Sequence, residues 1–344
     1  MQHGVLEAIR FQFRGIILYV LCFTASFGAK CNMFNTNAFE AIAMEVGGRI
    51  SQVNQPAFRY SSVGAALIPV VLSVPHAGRL YPDSLIKKMR DPKPSSLKLE
   101  DRMVDKLAIA IAKQTGAAIL IADAPRAMID LNRDVDDVDW GMVSDKAEEP
   151  RPATPARRRA RNGLGLVPRR LGREEIWNSP LAMDELSTRI AEIHRPYHDR
   201  LNEMLKSTRD RFGCATLIDL HSMPPLPRMH DNFPPIEFVL GDRFGGSCHG
   251  EISDSVERFF RQARRLLVRN RPYAGGYVLD RHGNPNRMIE AFQLEICRSI
   301  YLDAEFANLT GHADQLVTLL TQMVREVAER TIMLGCPPGL EAAQ

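Results

Sequence analysis

Two histidines and one glutamate stand where hydrolytic chemistry on a metal could be done. His76 follows the apolar run LIPVVLSV (residues 67–74) in SVPHAGRLYP, and His221 ends LIDLH in LIDLHSMPP. An open α/β sheet places its ligands at the carboxyl ends of its strands, where both histidines would lie. A neutral imidazole can ligate a divalent cation. Either histidine alone could be structural; two at two strand ends form a better signal. Asp219 shares a strand face with His221, so its carboxylate could orient the ring from behind. Glu295, in EAFQLEICRSIY, sits inside another apolar run. A carboxylate there is costly unless it has a partner or a task. It reads either as half of a buried salt bridge with an arginine of the sheet or as a general base for a metal-bound water. Gln293 and Ala291 would share its face.

Cationic and turn-forming groups accompany these residues. In APRAMIDLNRD, Arg126 and Arg133 flank Asp130 just after the run AAILIA. Guanidinium groups pair with carboxylates through two parallel hydrogen bonds, which suits an acidic substrate or a developing oxyanion. The plain alternative is that Asp130 pairs with one arginine to fix the loop. Gly275 and Gly276, in RPYAGGYVLDRHG, permit positive φ and close approach of the backbone to a substrate, or simply a tight turn. His194 and His198 share a helix face at a spacing that can bind zinc, but the Glu of an H-E-x-x-H site is missing, and a packing or pocket-wall role fits better. His249 and His282 lie in glycine-flanked loops. Arg157–Arg159 with Arg161 lacks interleaved aromatics and reads as a solvated run, so nucleic-acid binding is not expected.

The elements that must position these groups alternate along the chain. Apolar runs of strand length occupy residues 67–74, 117–122, 215–220, 236–240 and 291–296. Amphipathic stretches between them read as helices. In residues 101–115, Val104, Leu107, Ala108, Ile111 and Ala112 fall on one helical face. Ser179-Pro180 has the form of an N-cap followed by proline at the first helical position, and the helix after it should run to about Arg209 with a kink or break at Pro196. Residues 252–268 and 313–332 complete the helices. The alternation implies an α/β fold with a central, mostly parallel sheet covered by helices on both faces. Residues 144–173, rich in Pro, Arg and Gly, read as a long surface loop, a lid or an insertion.

With 344 residues, 45% of them apolar and 25% charged, the chain can form one large globular domain. A net charge of +3 is not that of a polyanion binder. Six scattered cysteines (22, 31, 214, 248, 297, 336) without C-x-x-C spacing read as reduced cytoplasmic thiols. Residues 1–66 read as a poorly patterned extension, 67–335 as the catalytic domain and 336–344 as a tail. Residues 15–29 are uncharged and follow Arg10 and Arg14, like the core of an export signal, but are short for a membrane span. That segment could instead be a terminal helix or strand, or translation could start at Met33 or Met44. No stable membrane insertion is expected, and no oligomeric state is implied.

The ordered set SVPHAGRLYP, LEDRMVDKLA, PRAMIDLNRD, GLGLVPR, HRPYHDRL, LIDLHSMPP, FVLGDRFGGSC, RPYAGGYVLDRHGNPNR and QLEICRSIYLD resembles the N-formylglutamate amidohydrolase family over about residues 67–305. That family looks like a branch of the zinc carboxypeptidase-like hydrolases. The resemblance implies a central mixed sheet with flanking helices (a phosphorylase/hydrolase-like fold), one catalytic divalent metal (Zn2+), and hydrolysis of an N-formyl or related N-acyl acidic amino acid. Formate and the free amino acid would be the products of the formyl substrate. By analogy His76 and His221 would ligate the metal and Glu295 would be the general base. Carboxypeptidase-type sites supply a Glu three residues after the first His, where this chain has Arg79. Asp101, with Glu100 behind it, is the candidate third ligand, unless it merely caps the helix it opens. Alternative functions are hydrolysis of another N-acyl amino acid or short peptide on the same scaffold, or binding without catalysis.

Overall fold

The computed structural model describes residues 8–13, 16–21, 42–145, 160, 163–227 and 234–335. The chain divides into a unit spanning Met1–Phe39 and a unit spanning Glu40–Gln344. In the first, Ala8–Phe13 pairs antiparallel with Ile16–Leu21, so part of the apolar 15–29 segment is a strand. Residues 15 and 22–29 lie outside the described residues, as do Arg157–Arg159, Arg161 and the 336–344 tail. No helix among the described residues is long and apolar enough to cross a membrane.

In the second unit, eight strands form one mixed sheet: β1 (Met44–Gly47), β2 (Phe58–Ser61), β3 (Val70–Val74), β4 (Ala118–Ala122), β5 (Ala215–Met223), β6 (Phe238–Gly241), β7 (Leu267–Arg269) and β8 (Ile289–Cys297). Their spatial order is β7-β6-β8-β5-β3-β4-β2-β1. The centre, β4-β3-β5-β8, is parallel; β6 joins β8 antiparallel, and β2 joins β4 antiparallel. Every residue of β3, β4, β5 and β8 is buried, as expected of strands covered on both faces. On one face Ile218, Leu220, Phe292, Leu294 and Ile296 pack with α3 (Val104–Thr115), α6 (Gly250–Gln262) and α8 (Ala313–Gly335). On the other, Leu217 and Ala291 pack with Tyr197, Leu201 and Met204 of α5 (Arg195–Phe212). Fully burying one such Leu or Ile contributes about 1.5–3 kcal/mol, so two helical layers are strongly favoured over one.

The expected stripe of α3 is buried as a block, and Gly116 at φ 74° ends that helix. Four other elements differ from expectation. Residues 44–61, read as loose extension, supply β1 and β2; each is only four residues long, too short for a pattern to register. Ser179-Pro180 caps no helix: Leu181–Ala182 is extended and pairs with Val143–Ser144, and α4 (Met183–Arg189) starts afterwards. The interruption expected at Pro196, which cannot donate to the preceding turn, is present: the chain makes a π-helical segment, Ile190–His194, and then resumes as α5. The helix read over 252–268 stops at Gln262, because Leu267–Arg269 pairs with β6. The 144–173 stretch is not wholly superficial. Leu166 is fully buried, and its carbonyl accepts from the backbone N–H of Asp130 at 2.7 Å.

Candidate active site

The odd-numbered residues of β5 and β8 change character along the strands. Leu217 and Ala291 belong to the core; two residues on come Asp219 and Gln293, then His221 and Glu295. Parallel pairing sets Asp219 beside Gln293 and His221 beside Glu295, so four polar side chains occupy one face near the carboxyl ends. His76 follows β3, the next strand, and is 2% exposed. Its turn is possible because Gly78 lacks a side chain: a Cβ there would stand 2.0 Å from the Ala124 carbonyl oxygen. The His76 carbonyl accepts from the Asp101 N–H at 2.9 Å, which draws the segment between α2 (Pro92–Leu99) and α3 against the strand end.

The two imidazoles approach each other, their centroids 4.7 Å apart. Each turns Nε2 toward a buried carboxylate: His76 to Asp130 Oδ1 at 2.7 Å, His221 to Asp219 Oδ2 at 2.8 Å. Ser73 donates to the other Asp219 oxygen at 2.8 Å. An Nε2–H donating to a carboxylate leaves the Nδ1 lone pair as the ligating atom. Both Nδ1 atoms face Asp101 Oδ2, His221 at 2.8 Å and His76 at 3.5 Å. His76 Nδ1 is buried without a hydrogen-bond partner. One ligand atom from each of His76, Asp101 and His221 lies within 4.8 Å of the others. Two imidazole nitrogens and a carboxylate aimed at one point are held together by a shared proton or by a cation. The residues therefore fit a divalent metal, with two N donors and one O donor.

In the metal-free protein paired charges set the protonation of these groups, and the proton on His221 must leave before its Nδ1 can bind a cation. Burial works against the charge on Asp101, but His221 and His76 hold its carboxyl well below the usual carboxylate range. Burial would lower His221, but Asp219 and Asp101 carry it well above the usual imidazole range. Asp130 is also held low against burial, by Arg126, His76 and Arg133. Asp101 does not cap α3. That helix begins after Met103 at φ 63°, and the second Asp101 oxygen accepts from Ser222 Oγ at 3.2 Å, with Arg298 at 3.6 Å. Arg79, where a ligand Glu was sought, makes two bonds to Asp105 instead.

Glu295 is 7% exposed and, among the described residues, makes no ion pair with an arginine. Its carboxylate accepts from Gln293 Nε2 at 2.7 Å. Burial pushes the Glu295 carboxyl up from its ordinary value, while His221, Arg126 and His76 oppose that shift. Such a group exchanges protons more readily near neutral pH than an exposed glutamate. Arg126 donates to Asp130 at 2.9 Å and lies close enough to Asp101 and Glu295 to feel both charges. Arg133 is directed elsewhere: its guanidinium donates to the carbonyls of Leu164 and Asn132. Gly275, at φ 94°, and Gly276 form a turn whose backbone lies against Asn132.

Asn132 and Gln293 were not assigned roles from sequence, though a glutamine alternating with a glutamate inside an apolar strand was a usable signal. Nothing local marks Asn132. His194 and His198 are fully buried and are not among the residues that converge with His76, Asp101 and His221. His194 hydrogen-bonds the Arg133 carbonyl at 2.9 Å, and His198 hydrogen-bonds His282 at 3.0 Å.

Comparison with known proteins gives a consistent result. The family model described as N-formylglutamate amidohydrolase matches residues 68–302. An N-formylglutamate deformylase of Pseudomonas putida is 30% identical over 245 residues, 69% of this chain and 82% of that one. Its counterpart from Pseudomonas aeruginosa PAO1 is 28% identical over 274 residues, 78% and 94% of the two chains. The crystal structure of an N-formylglutamate amidohydrolase from Ralstonia eutropha JMP134, 30% identical, superposes with a TM-score of 0.70, covering 79% of this chain and 97% of that one.

Proposed function

The chain belongs to the N-formylglutamate amidohydrolase family, and from that premise we propose that it hydrolyses the amide bond of an N-formyl acidic amino acid such as N-formylglutamate. Water adds across the C–N bond, and formate and the free amino acid leave. The observation that carries this reading is the convergence of His76, His221 and Asp101, with Glu295 beside His221 in register.

His76 Nδ1, His221 Nδ1 and an Asp101 oxygen would hold one divalent cation, zinc by its donor set. Bound there, it supplies Lewis acidity, polarising the carbonyl and lowering the pKa of water from 15.7 toward about 7. The protein's own groups do the rest. Glu295, with one oxygen occupied by Gln293, uses the other to take a proton from the attacking water. It then delivers that proton to the departing amine nitrogen. Arg126, charged and beside both carboxylates, receives the substrate's own carboxylate through its outer N–H groups. Asp130 and Asp219 keep the two imidazoles oriented throughout. A cytoplasmic location belongs to the same proposal, supported by the buried free thiols Cys248 and Cys297.

Metal analysis of the purified protein, coupled to formate release from N-formyl-L-glutamate and to matched N-acetyl and neutral N-formyl amino acids, tests this reading. One bound zinc per chain and preference for the acidic N-formyl compound are expected. Activity undiminished by complete metal removal would reject the metal centre. Glu295→Gln should keep its metal and lose roughly 10²–10⁴-fold in kcat. Full activity in that variant would remove Glu295 from the mechanism.

A further inference from the structure

We propose that Asn132 and Gln293 form a one-way hydrogen-bond relay that positions Glu295, a role that rests on reading Glu295 as the general base. A side-chain amide has a donor end and an acceptor end, and either end can face a hydroxyl or another amide. Here the ambiguity is removed at the start of the chain of contacts. The backbone N–H of Val278 can only donate, and it donates to Asn132 Oδ1 at 2.9 Å. Asn132 must then present Nδ2 on its other side, where it donates to Gln293 Oε1 at 3.0 Å. Gln293 in turn can offer only Nε2 to Glu295, and it donates to Glu295 Oε1 at 2.7 Å. Each orientation dictates the next.

The relay joins three separate segments: the loop after β4, strand β8, and the first turn of α7 (Tyr277–His282). All of its side chains are buried. Gly276 completes it, since a Cβ there would lie 2.4 Å from Asn132 Oδ1 and would displace the amide. The absence of a side chain lets the start of α7 close on Asn132. The consequence for chemistry is specific. One Glu295 oxygen is held by a donor in a fixed direction, and the other is left for the attacking water. A base locked in one rotamer by a hydrogen bond from behind loses less freedom as the transition state forms.

Gln293→Met keeps the volume and removes both ends of the relay. The expected result is a fall in kcat of roughly 10–100-fold, with KM and zinc stoichiometry unchanged. The decisive readout is the same substitution in a Glu295→Gln background, where it should produce no further loss, because the relay acts through the Glu295 carboxylate. A merely structural role would lower kcat by the same factor in both backgrounds, and that result would overturn the proposal. Full activity of Gln293→Met beside an impaired Glu295→Gln would remove the relay alone. Full activity of Glu295→Gln would remove the general base, and the relay with it. If Gln293→Met does not fold, Gly276→Ala addresses the relay from its far end with an ordinary backbone conformation. It should show the same kcat loss, and the same silence in the Glu295→Gln background.

Discussion

Replacing Asp130 by Asn separates the two duties of that carboxylate. Oδ1 accepts from His76 Nε2 at 2.7 Å and from the Asn132 N–H at 2.8 Å, while Oδ2 accepts from Arg126 Nε at 2.9 Å. An asparagine fits the same space. Its single oxygen will stay with the two donors, so its NH2 must turn toward Arg126, donor against donor. Removing one partner of a buried ion pair costs about 3–5 kcal/mol. The Arg126 side chain retains 21% exposure, which places the loss at the low end, about 3 kcal/mol. His76 keeps a hydrogen bond, but to a neutral amide, so its ring becomes a weaker ligand. Loss of such a carboxylate behind a metal ligand weakens metal binding roughly 10–100-fold, or about 1.4–2.7 kcal/mol. Urea unfolding of the metal-free protein measures the first quantity, and zinc titration against a competing chelator measures the second. A stability loss below about 1 kcal/mol together with wild-type zinc affinity would refute both halves of the reasoning.

The remaining predictions concern Arg126, the histidine cluster and one turn. Arg126→Lys keeps the charge but loses the planar fork, and KM for the acidic N-formyl substrate should rise roughly tenfold, about 1.4 kcal/mol of binding; an unchanged KM would move the carboxylate site elsewhere. Burial holds His194 and His198 below the usual imidazole range and pushes His282 down to about 3. The unfolded chain therefore binds more protons at these three positions, so their contribution is complete above about pH 6.5 and declines as pH falls below it, for His282 down to about 3, by up to about 1.4 kcal/mol per pH unit. Unfolding curves that do not change between pH 6.5 and 5, or a slope that His282→Gln leaves untouched, would contradict this. Gly78→Ala places a methyl 2.0 Å from the Ala124 carbonyl oxygen and should destabilise the fold by about 1–3 kcal/mol, read as a lower urea midpoint at unchanged slope; an unshifted midpoint would contradict this.

How far the site could be read in advance depended on whether each residue broke a local rule. His221 and Glu295 did so, as polar groups inside apolar strands, and the structure places them side by side. His76 stood out through Pro75 and Gly78 around a strand end. Asp101 obeyed a local rule instead. An aspartate ahead of an amphipathic stretch ordinarily caps a helix, and only the hydrogen bond from its N–H to the His76 carbonyl shows why it faces the imidazoles. The sheet was legible in its buried centre and not at its edges, because two four-residue strands and one three-residue strand borrow their stability from neighbours rather than from their own pattern.

The same reasoning explains why Asn132 is not legible in the sequence. Its side-chain amide reaches Val278 and Gln293, each more than a hundred positions away in sequence, and its neighbours in LNRD form an ordinary polar turn. Local sequence can reveal a ligand or a base, since such groups must sit in unusual company. It does not reveal the group that aims them, whose qualification is only its place in three dimensions. Here the aiming groups are a buried aspartate behind each imidazole and a buried amide pair behind the carboxylate. Each hydrogen-bonds from the side away from the proposed metal position. A site assembled this way should tolerate changes at its exposed rim better than changes at Asp130, Asp219 or Gln293, although none of those three need ever touch the substrate.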